Sequence, residues 1–326
     1  MREKNMQNFA GKLAVITGGG TGMGRELARQ LIAEGCDVAI CDVIDENMQQ
    51  TLTICREEAP QGVRITAHLC DVSNEEQVLR FKDEVLDLHG RDHIHLLFNN
   101  AGIGSGVSFV DGPRDTWERT FNICWYGVYY CARAFMPYLV AADEGHMINT
   151  SSINGFWASL GPGSTHSAYS AAKFAVKGFT EALVSDLRIN APHVKVSVVM
   201  PGHIGTSIFI NSGKIDGHEA QNMTAEELVT VRERITARLG IDLSAATDDQ
   251  VKDMIKAQGE SFRDNAPTTA AEAAAMMIQG VRDERWRVLL GDDAKVLDRL
   301  VRESPEEAYE ESFMVKMREQ AGWGLS

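Results

Sequence analysis

A tyrosine and a lysine stand four residues apart, at Tyr169 and Lys173, in the small-residue run Ser167-Ala-Tyr-Ser-Ala-Ala-Lys-Phe174. The run suits a helix, and on a helix positions i and i+4 share one face. The spacing therefore sets a phenol beside an ammonium. A neighbouring cation favours the phenolate, so the phenol's pKa is expected to fall toward neutrality. A tyrosine tuned in this way gives or takes a proton at physiological pH. Taken alone, the pair is equally compatible with a surface contact, and its neighbours must decide.

The first of those neighbours is a glycine-rich turn. A predicted strand over Lys12–Thr17 runs into Thr17-Gly-Gly-Gly-Thr-Gly-Met-Gly24, with five glycines in eight residues. Gly18, Gly20, Gly22 and Gly24, with Thr21 and Met23 between them, let the backbone approach a ligand closely. The N–H groups at the start of the following helix suit a pyrophosphate. The run lacks the lysine of a phosphate-binding P-loop and the Gly-x-Gly-x-x-Gly spacing; Gly18, Gly22 and Gly24 give Thr-Gly-x-x-x-Gly-x-Gly instead. Asp42 ends the second predicted strand, eighteen residues after Gly24. A carboxylate there accepts hydrogen bonds from ribose hydroxyls and repels a 2′-phosphate, which selects NAD over NADP.

From residue 11 to about 199, short apolar or β-branched runs alternate with longer amphipathic ones. Strands are expected over 12–17, 37–41, 64–69, 95–99, 146–150 and 194–200. Helices are expected over 22–34, 45–58, 74–89, 116–140 and 168–190. This alternation implies an α/β, doubly wound parallel sheet with helices on both faces, with ligands at the carboxyl ends of the strands. Beyond Pro201 the chain turns polar, with helical periodicity over 224–239 and 248–258. A helix over 268–283, a last strand over 287–290, and charged helices over 292–303 and 305–320 complete it. The implied organisation is a dinucleotide-binding unit over 9–206 and 267–291, a helical insertion over 207–266, and a helical extension over 292–326.

The 326 residues carry 46 acidic and 32 Lys or Arg side chains, for a net charge of −14. That field repels nucleic acid and anionic membrane. No apolar run is long enough to span a bilayer, and no secretion signal is evident at the N-terminus. A cytoplasmic location follows as the expectation. Six cysteines without a Cys-x-x-Cys pair read as buried free thiols, and no metal site is expected.

With these pieces in order, the chain resembles the short-chain dehydrogenase/reductase family, in its compact single-domain branch. Five motifs carry the resemblance: the turn Thr17–Gly24, Cys70-Asp-Val72, Asn99-Asn-Ala-Gly102, Tyr169-x-x-x-Lys173, and Pro201-Gly202. The resemblance implies that Asp71 bonds the adenine amino group, with Val72 as backbone support. It implies that Asn99 steadies the sheet and that Asn100, Ala101 and Gly102 lie along the adenosine ribose. Ile204 and Thr206 are implied beside the nicotinamide. Ser152, in Asn149-Thr-Ser-Ser-Ile-Asn-Gly155, resembles the serine that bonds the substrate oxygen. Asn122 resembles the asparagine that holds a proton-relay water.

The implied reaction is hydride transfer between a secondary alcohol or its ketone and NAD, with Tyr169 as general acid or base. Lys173 lowers the Tyr169 pKa and bonds the nicotinamide ribose. Phe209, Ile210, Met223, Leu228, Val231 and Ile235 in the insertion suggest a lid over a bulky hydrophobic or aromatic substrate. An interaction surface is the other reading of that segment. The run from Phe156 to Ala168, with Trp157 and the turn Gly161-Pro-Gly163, is longer than usual for the family and is expected to reshape the pocket mouth. His166 lies in this run as a further candidate acid or base, although a loop histidine is the simpler reading. The helices over 116–140 and 168–190 pair between subunits in the family, implying a homodimer or homotetramer. Trp286 and Trp323 flank charged helices expected to cap that interface or the lid. Alternatives of the same fold are a non-catalytic dinucleotide-binding redox sensor or scaffold, and a 3-oxoacyl- or steroid-type reductase.

Overall fold

The computed structural model describes residues 6–321 apart from 105, 162–163, 218 and 240–241. The turn at Pro162-Gly163 and Trp323 lie outside the described residues. The chain opens with strict alternation: β1 (Leu13–Thr17), α1 (Gly22–Ala33), β2 (Asp37–Asp42), α2 (Asp45–Glu58), β3 (Ile65–Leu69), α3 (Glu75–His89) and β4 (Leu96–Asn99). It continues through α4 (Arg114–Phe121), α5 (Gly127–Val140), β5 (Gly145–Thr150), α6 (Ser167–Asn190) and β6 (Val194–Pro201). The expected strands and most expected helices therefore form within a residue or two of their predicted ends.

The seven-stranded sheet runs β3-β2-β1-β4-β5-β6 and ends on β9 (Arg287–Leu290), with every pair parallel. β1 is buried along its whole length, as a strand covered on both faces must be. On one face, Leu27, Leu31 and Ile32 of α1 pack with Ala273, Met277 and Ile278 of α10 (Ala270–Arg282). On the other, Phe81 of α3 meets Phe135 of α5 edge-on at 5.6 Å, above Val15 and Leu97. The order in which strands are added reverses between β1 and β4, opening a crevice at their carboxyl ends where such sheets take ligands.

Three elements were not legible. A two-stranded ribbon pairs β7 (Ile204–Gly205) with β8 (Thr268–Thr269). α7 (Ile208–Asp216) falls in the helical insertion but outside the two stretches where helical periodicity is read. The third is a π-turn over Asn122–Tyr126, which joins α4 to α5 and breaks the long predicted helix. The insertion continues as α8 (Ala225–Leu239) and α9 (Asp248–Asp264), the latter started by a Thr247–Gln250 capping box. Leu228 and Val251 are buried there.

The extension comprises α11 (Asp292–Glu303) and α12 (Glu311–Ala321). Leu297, Phe313, Met314 and Met317 close over Trp157, which is fully buried. The Trp157 Nε1–H donates to the Ala308 carbonyl at 2.7 Å. This corrects the expectation for Trp157: it does not shape the pocket mouth but anchors the segment behind Ser152 to the extension. Replacing Trp157 by Ala should cost about 3–5 kcal/mol through lost burial and the cavity left behind. A urea melt should show a lower midpoint at unchanged slope; an unchanged midpoint would contradict this role.

Candidate active site

The glycine turn is held by crowding. Gly18 and Gly22 adopt φ of +66° and +54°. A Cβ on Gly24 would stand 2.0 Å from the Gly18 carbonyl oxygen. No side chain caps the start of α1, which leaves its first N–H groups directed at the crevice. Thr17 Oγ1 accepts from the backbone N–H of both Asn100 and Ala101, each at 3.0 Å. Asn100 Nδ2 donates to the Thr17 carbonyl at 3.1 Å, so this side chain braces the turn.

One cleft is lined by Gly18, Thr21, Gly22, Met23, Asp42, Asp71, Val72, Asn100, Ala101, Gly102 and Thr206. Gly20 backs it: its N–H donates to Asp42 Oδ2 at 2.9 Å, and a Cβ there would strike that carboxylate. Asp42 also accepts from the Ile44 N–H at 3.0 Å. Burial raises the Asp42 pKa, partly offset by these N–H groups. Asp71 Oδ1 is taken by Ser73 at 2.7 Å. Asn99 donates to Asn149 Oδ1 at 2.8 Å, and Asn149 donates to Thr180 Oγ1 at 3.0 Å. That chain ties β4 to β5 and α6.

Several cleft residues were not anticipated, among them Arg119 of α4 and Asn211, Lys214 and Ile215 of α7. Asn211 Nδ2 donates to Thr21 Oγ1 at 2.9 Å, so α7 crosses to the glycine turn. Arg119 donates to the Ile215 carbonyl. Arg25, beneath the turn, was also missed. Its guanidinium donates to the Gly20 carbonyl at 2.6 Å and to Thr51 Oγ1 at 2.9 Å.

The end of β5 gathers the chemistry. The Lys173 ammonium, only 2% exposed, donates to the Thr150 carbonyl at 2.9 Å. Ser151 Oγ donates to the Lys173 carbonyl at 2.7 Å. Ser152 hydrogen-bonds the Tyr169 hydroxyl. Lys173 Nζ lies 5.4 Å from the centre of the Tyr169 ring. Three successive residues, the last of β5 and the two that follow it, thus fix both members of the helical pair.

The electrostatics run against the expected direction. Burial pushes the Tyr169 phenol well above its ordinary pKa, and a charge on Cys124 would push it further, while Ser152 opposes both. Burial also lowers the Lys173 pKa. Helical spacing does put the two groups together, but drying the site disfavours phenolate and ammonium alike.

Asn122 stands where α4 passes into the π-turn. It is exposed, at the first position of the π-turn, where its carbonyl accepts the Gly127 N–H. The wider turn directs Ile123 and Cys124 inward instead. Cys124 Sγ donates to the Ile103 carbonyl at 3.4 Å. Thr120, Cys124, Val128 and Cys131 form a buried stripe that omits Asn122, and this periodicity was the available signal. His166 lies against the Tyr169 ring, 4.6 Å between centroids.

Pro201-Gly202 is braced from behind. Buried Asp293 accepts from the His203 N–H at 2.7 Å, and a Cβ on Gly202 would lie 2.3 Å from its carboxylate. The Ile204 side chain turns into the core with Val199 and Leu290, so it is not a cleft wall as expected. All six cysteines are free and buried, as expected. No described helix is long and apolar enough to cross a membrane, and no cluster of metal-ligating side chains occurs among the described residues. With Asn122 on the solvent side, Asn122→Ala should leave turnover within about twofold and stability within about 0.5 kcal/mol of wild type. A tenfold loss of kcat at unchanged stability would return Asn122 to the site.

The comparisons agree with this geometry. The family model for short chain dehydrogenase matches residues 12–215. SadH of Mycobacterium tuberculosis, named as an oxidoreductase, is 32% identical over 297 residues, covering 91% of this chain and 92% of its own. Mouse epidermal retinol dehydrogenase 2 is 34% identical over 63% of this chain and 64% of its own length. A crystal structure of a Burkholderia phymatum short chain dehydrogenase/reductase in complex with NAD superposes with a TM-score of 0.73 at 26% identity, covering 92% of this chain and 96% of that one. Glycine turn, sheet order and Tyr–Lys–Ser cluster meet in one molecule, and the chain belongs to the short-chain dehydrogenase family of oxidoreductases.

Proposed function

We propose that the protein is an NAD-dependent oxidoreductase that interconverts a secondary alcohol and its ketone. The meeting of Ser152, Tyr169 and Lys173 at the end of β5, beside the glycine-turn cleft, carries this reading. Gly18, Thr21, Gly22 and Met23 would hold the pyrophosphate, Asp42 the adenosine ribose, and Asp71 with Val72 the adenine. Thr206 would reach the nicotinamide carboxamide. The crowding around Gly18 and Gly24 and the uncapped start of α1 fit such a group. Bound NAD would supply the hydride acceptor.

The rest falls to this chain. Ser152 orients the substrate oxygen, and Tyr169 takes its proton in oxidation or returns it in reduction. Lys173, fixed on the Thr150 carbonyl, supplies the positive charge that favours phenolate as the proton leaves. The acidic Asp42 supports NAD over NADP, and Arg25 is already committed to Gly20 and Thr51. For the substrate, Phe209 and Phe262 meet edge-on at 4.4 Å and Phe262 lies 4.3 Å from the His203 ring. This aromatic cluster, built by the 207–266 insertion against His203, supports a bulky apolar alcohol as substrate, and the retinol dehydrogenase relatives fit that class.

Tyr169→Phe should bind NAD nearly as well as wild type, by fluorescence titration, and lose about two to four orders of magnitude in kcat. NADP should bind more weakly than NAD in the same titration. Wild-type turnover in Tyr169→Phe would sink the assignment.

The face shared by the π-turn, α5 and α6 exposes Tyr126 and Phe174, next to a Trp125–Phe179 edge contact at 5.5 Å. It supports a homodimer or homotetramer through these helices. Light scattering at micromolar concentration should give at least twice the chain mass; a monomer would count against this surface.

A further inference from the structure

α7 brings to the cleft a cation for which the proposed reaction has no task. Lys214 lines the cleft together with Gly18, Thr21, Gly22 and Asp42. The residue is exposed, and no hydrogen bond or ion pair engages its ammonium among the described residues. A lysine on a solvated face needs no partner. This one stands on the wall of the cleft that the proposed cofactor would fill.

The position of that wall is fixed. One turn before Lys214, Asn211 Nδ2 donates to Thr21 Oγ1 of the glycine turn at 2.9 Å. Asn47 of α2 donates to Asn211 Oδ1 at 3.4 Å. On the opposite rim, the Gly104 N–H donates to Ser212 Oγ at 2.9 Å, and Arg119 of α4 donates to the Ile215 carbonyl. Residues on either side of Lys214 therefore tie α7 to both rims. Asn211, Lys214 and Ile215 are spaced i, i+3 and i+4, so they share the helix face that meets the cleft. The face that sets Asn211 on the glycine turn carries Lys214 one turn along.

The charges of the lining point the same way. Its ionisable members are Asp42, Asp71, Arg119 and Lys214. Asp42 is held by the Gly20 and Ile44 N–H groups, and Asp71 by Ser73. Arg119 lies 3.5 Å from Asp216 in addition to its bond with the Ile215 carbonyl. Lys214 is the cation that stays uncommitted. A pyrophosphate would bring negative charge into a lining that already holds two carboxylates, on a chain of net charge −14. The uncapped N–H groups of α1 meet that charge from the glycine-turn side.

We infer that Lys214 binds the cofactor pyrophosphate from the α7 side and holds it against the glycine turn. This rests on the reading of the cleft as a dinucleotide site. An ammonium acts on phosphate as a point charge, without the bidentate geometry of a guanidinium. The ties of α7 fix the backbone that carries the charge, so binding has little to order beyond one side chain.

The test needs neither substrate nor turnover. NAD, ADP-ribose and adenosine are titrated against wild type, Lys214→Met and Lys214→Arg by intrinsic fluorescence. ADP-ribose carries the pyrophosphate without the nicotinamide, and adenosine carries no phosphate. Lys214→Met should weaken NAD and ADP-ribose alike, by about five- to tenfold, and leave adenosine within about twofold. Lys214→Arg should restore most of the loss. Because the ammonium is exposed, the gap between wild type and Lys214→Met should narrow as salt is raised. Lys256→Met removes the same charge from an exposed position of α9 outside the cleft lining and should bind all three ligands as wild type does. Thermal melts establish that each variant is folded. An equal loss for adenosine, a matching loss in Lys256→Met, or a loss confined to NADP, which would set the ammonium at a 2′-phosphate, would overturn the proposal. Wild type that binds neither NAD nor ADP-ribose would overturn the cofactor reading and this proposal with it. Wild type that binds both, with Lys214→Met no weaker, would overturn the role of Lys214 alone.

Discussion

A single buried ammonium is the constraint on which this site depends. Lys173 is almost completely withdrawn from water, and removing a cation from water is costly unless it is met by oxygen. Here the Thr150 carbonyl meets it, at the end of a strand buried along its length. The adjoining Ser151 fixes the backbone of Lys173 itself, and Ser152 reaches Tyr169. The helix cannot shift along β5 without breaking all three contacts. The pair is therefore preorganised by the sheet, and the price is a site so dry that phenolate and ammonium are both disfavoured before a cofactor arrives.

The same logic extends outward. The crevice exists because the strand order reverses between the neighbours β1 and β4, and Thr17, Asn99 and Asn100 cross-link the strand ends beside it. Two later segments close on it from opposite sides. α7 reaches the glycine turn through Asn211, and the C-terminal extension holds Gly202 and His203 through Asp293 and the Ser152 segment through Trp157. Residues beyond the sheet thus act as its outer supports.

Much of this was legible because it is local. Strands covered on both faces read as short continuous apolar runs, and the glycine turn reads as crowding that only glycine tolerates. The Tyr169–Lys173 spacing follows from helix geometry alone. The features missed are those set by tertiary context. The direction of the Tyr169 and Lys173 pKa shifts depends on desolvation, which no spacing reveals. The π-turn rotates Asn122 out and Cys124 in through one local change of backbone pitch. The hydrogen-bond partner of Trp157, Ala308, stands 151 residues away. α7 starts at Ile208 behind Ser207, whose side chain makes no cap hydrogen bond.

The central claim is that a hydride leaves the carbinol carbon of an alcohol at this site. It is tested most directly by incubating the protein and NAD with alcohols deuterated at that carbon, long apolar ones among them, and weighing the cofactor. The account predicts reduced cofactor that carries the deuterium, formed in step with ketone. Cofactor that binds but stays oxidised across the panel, or that is reduced without label, would contradict it.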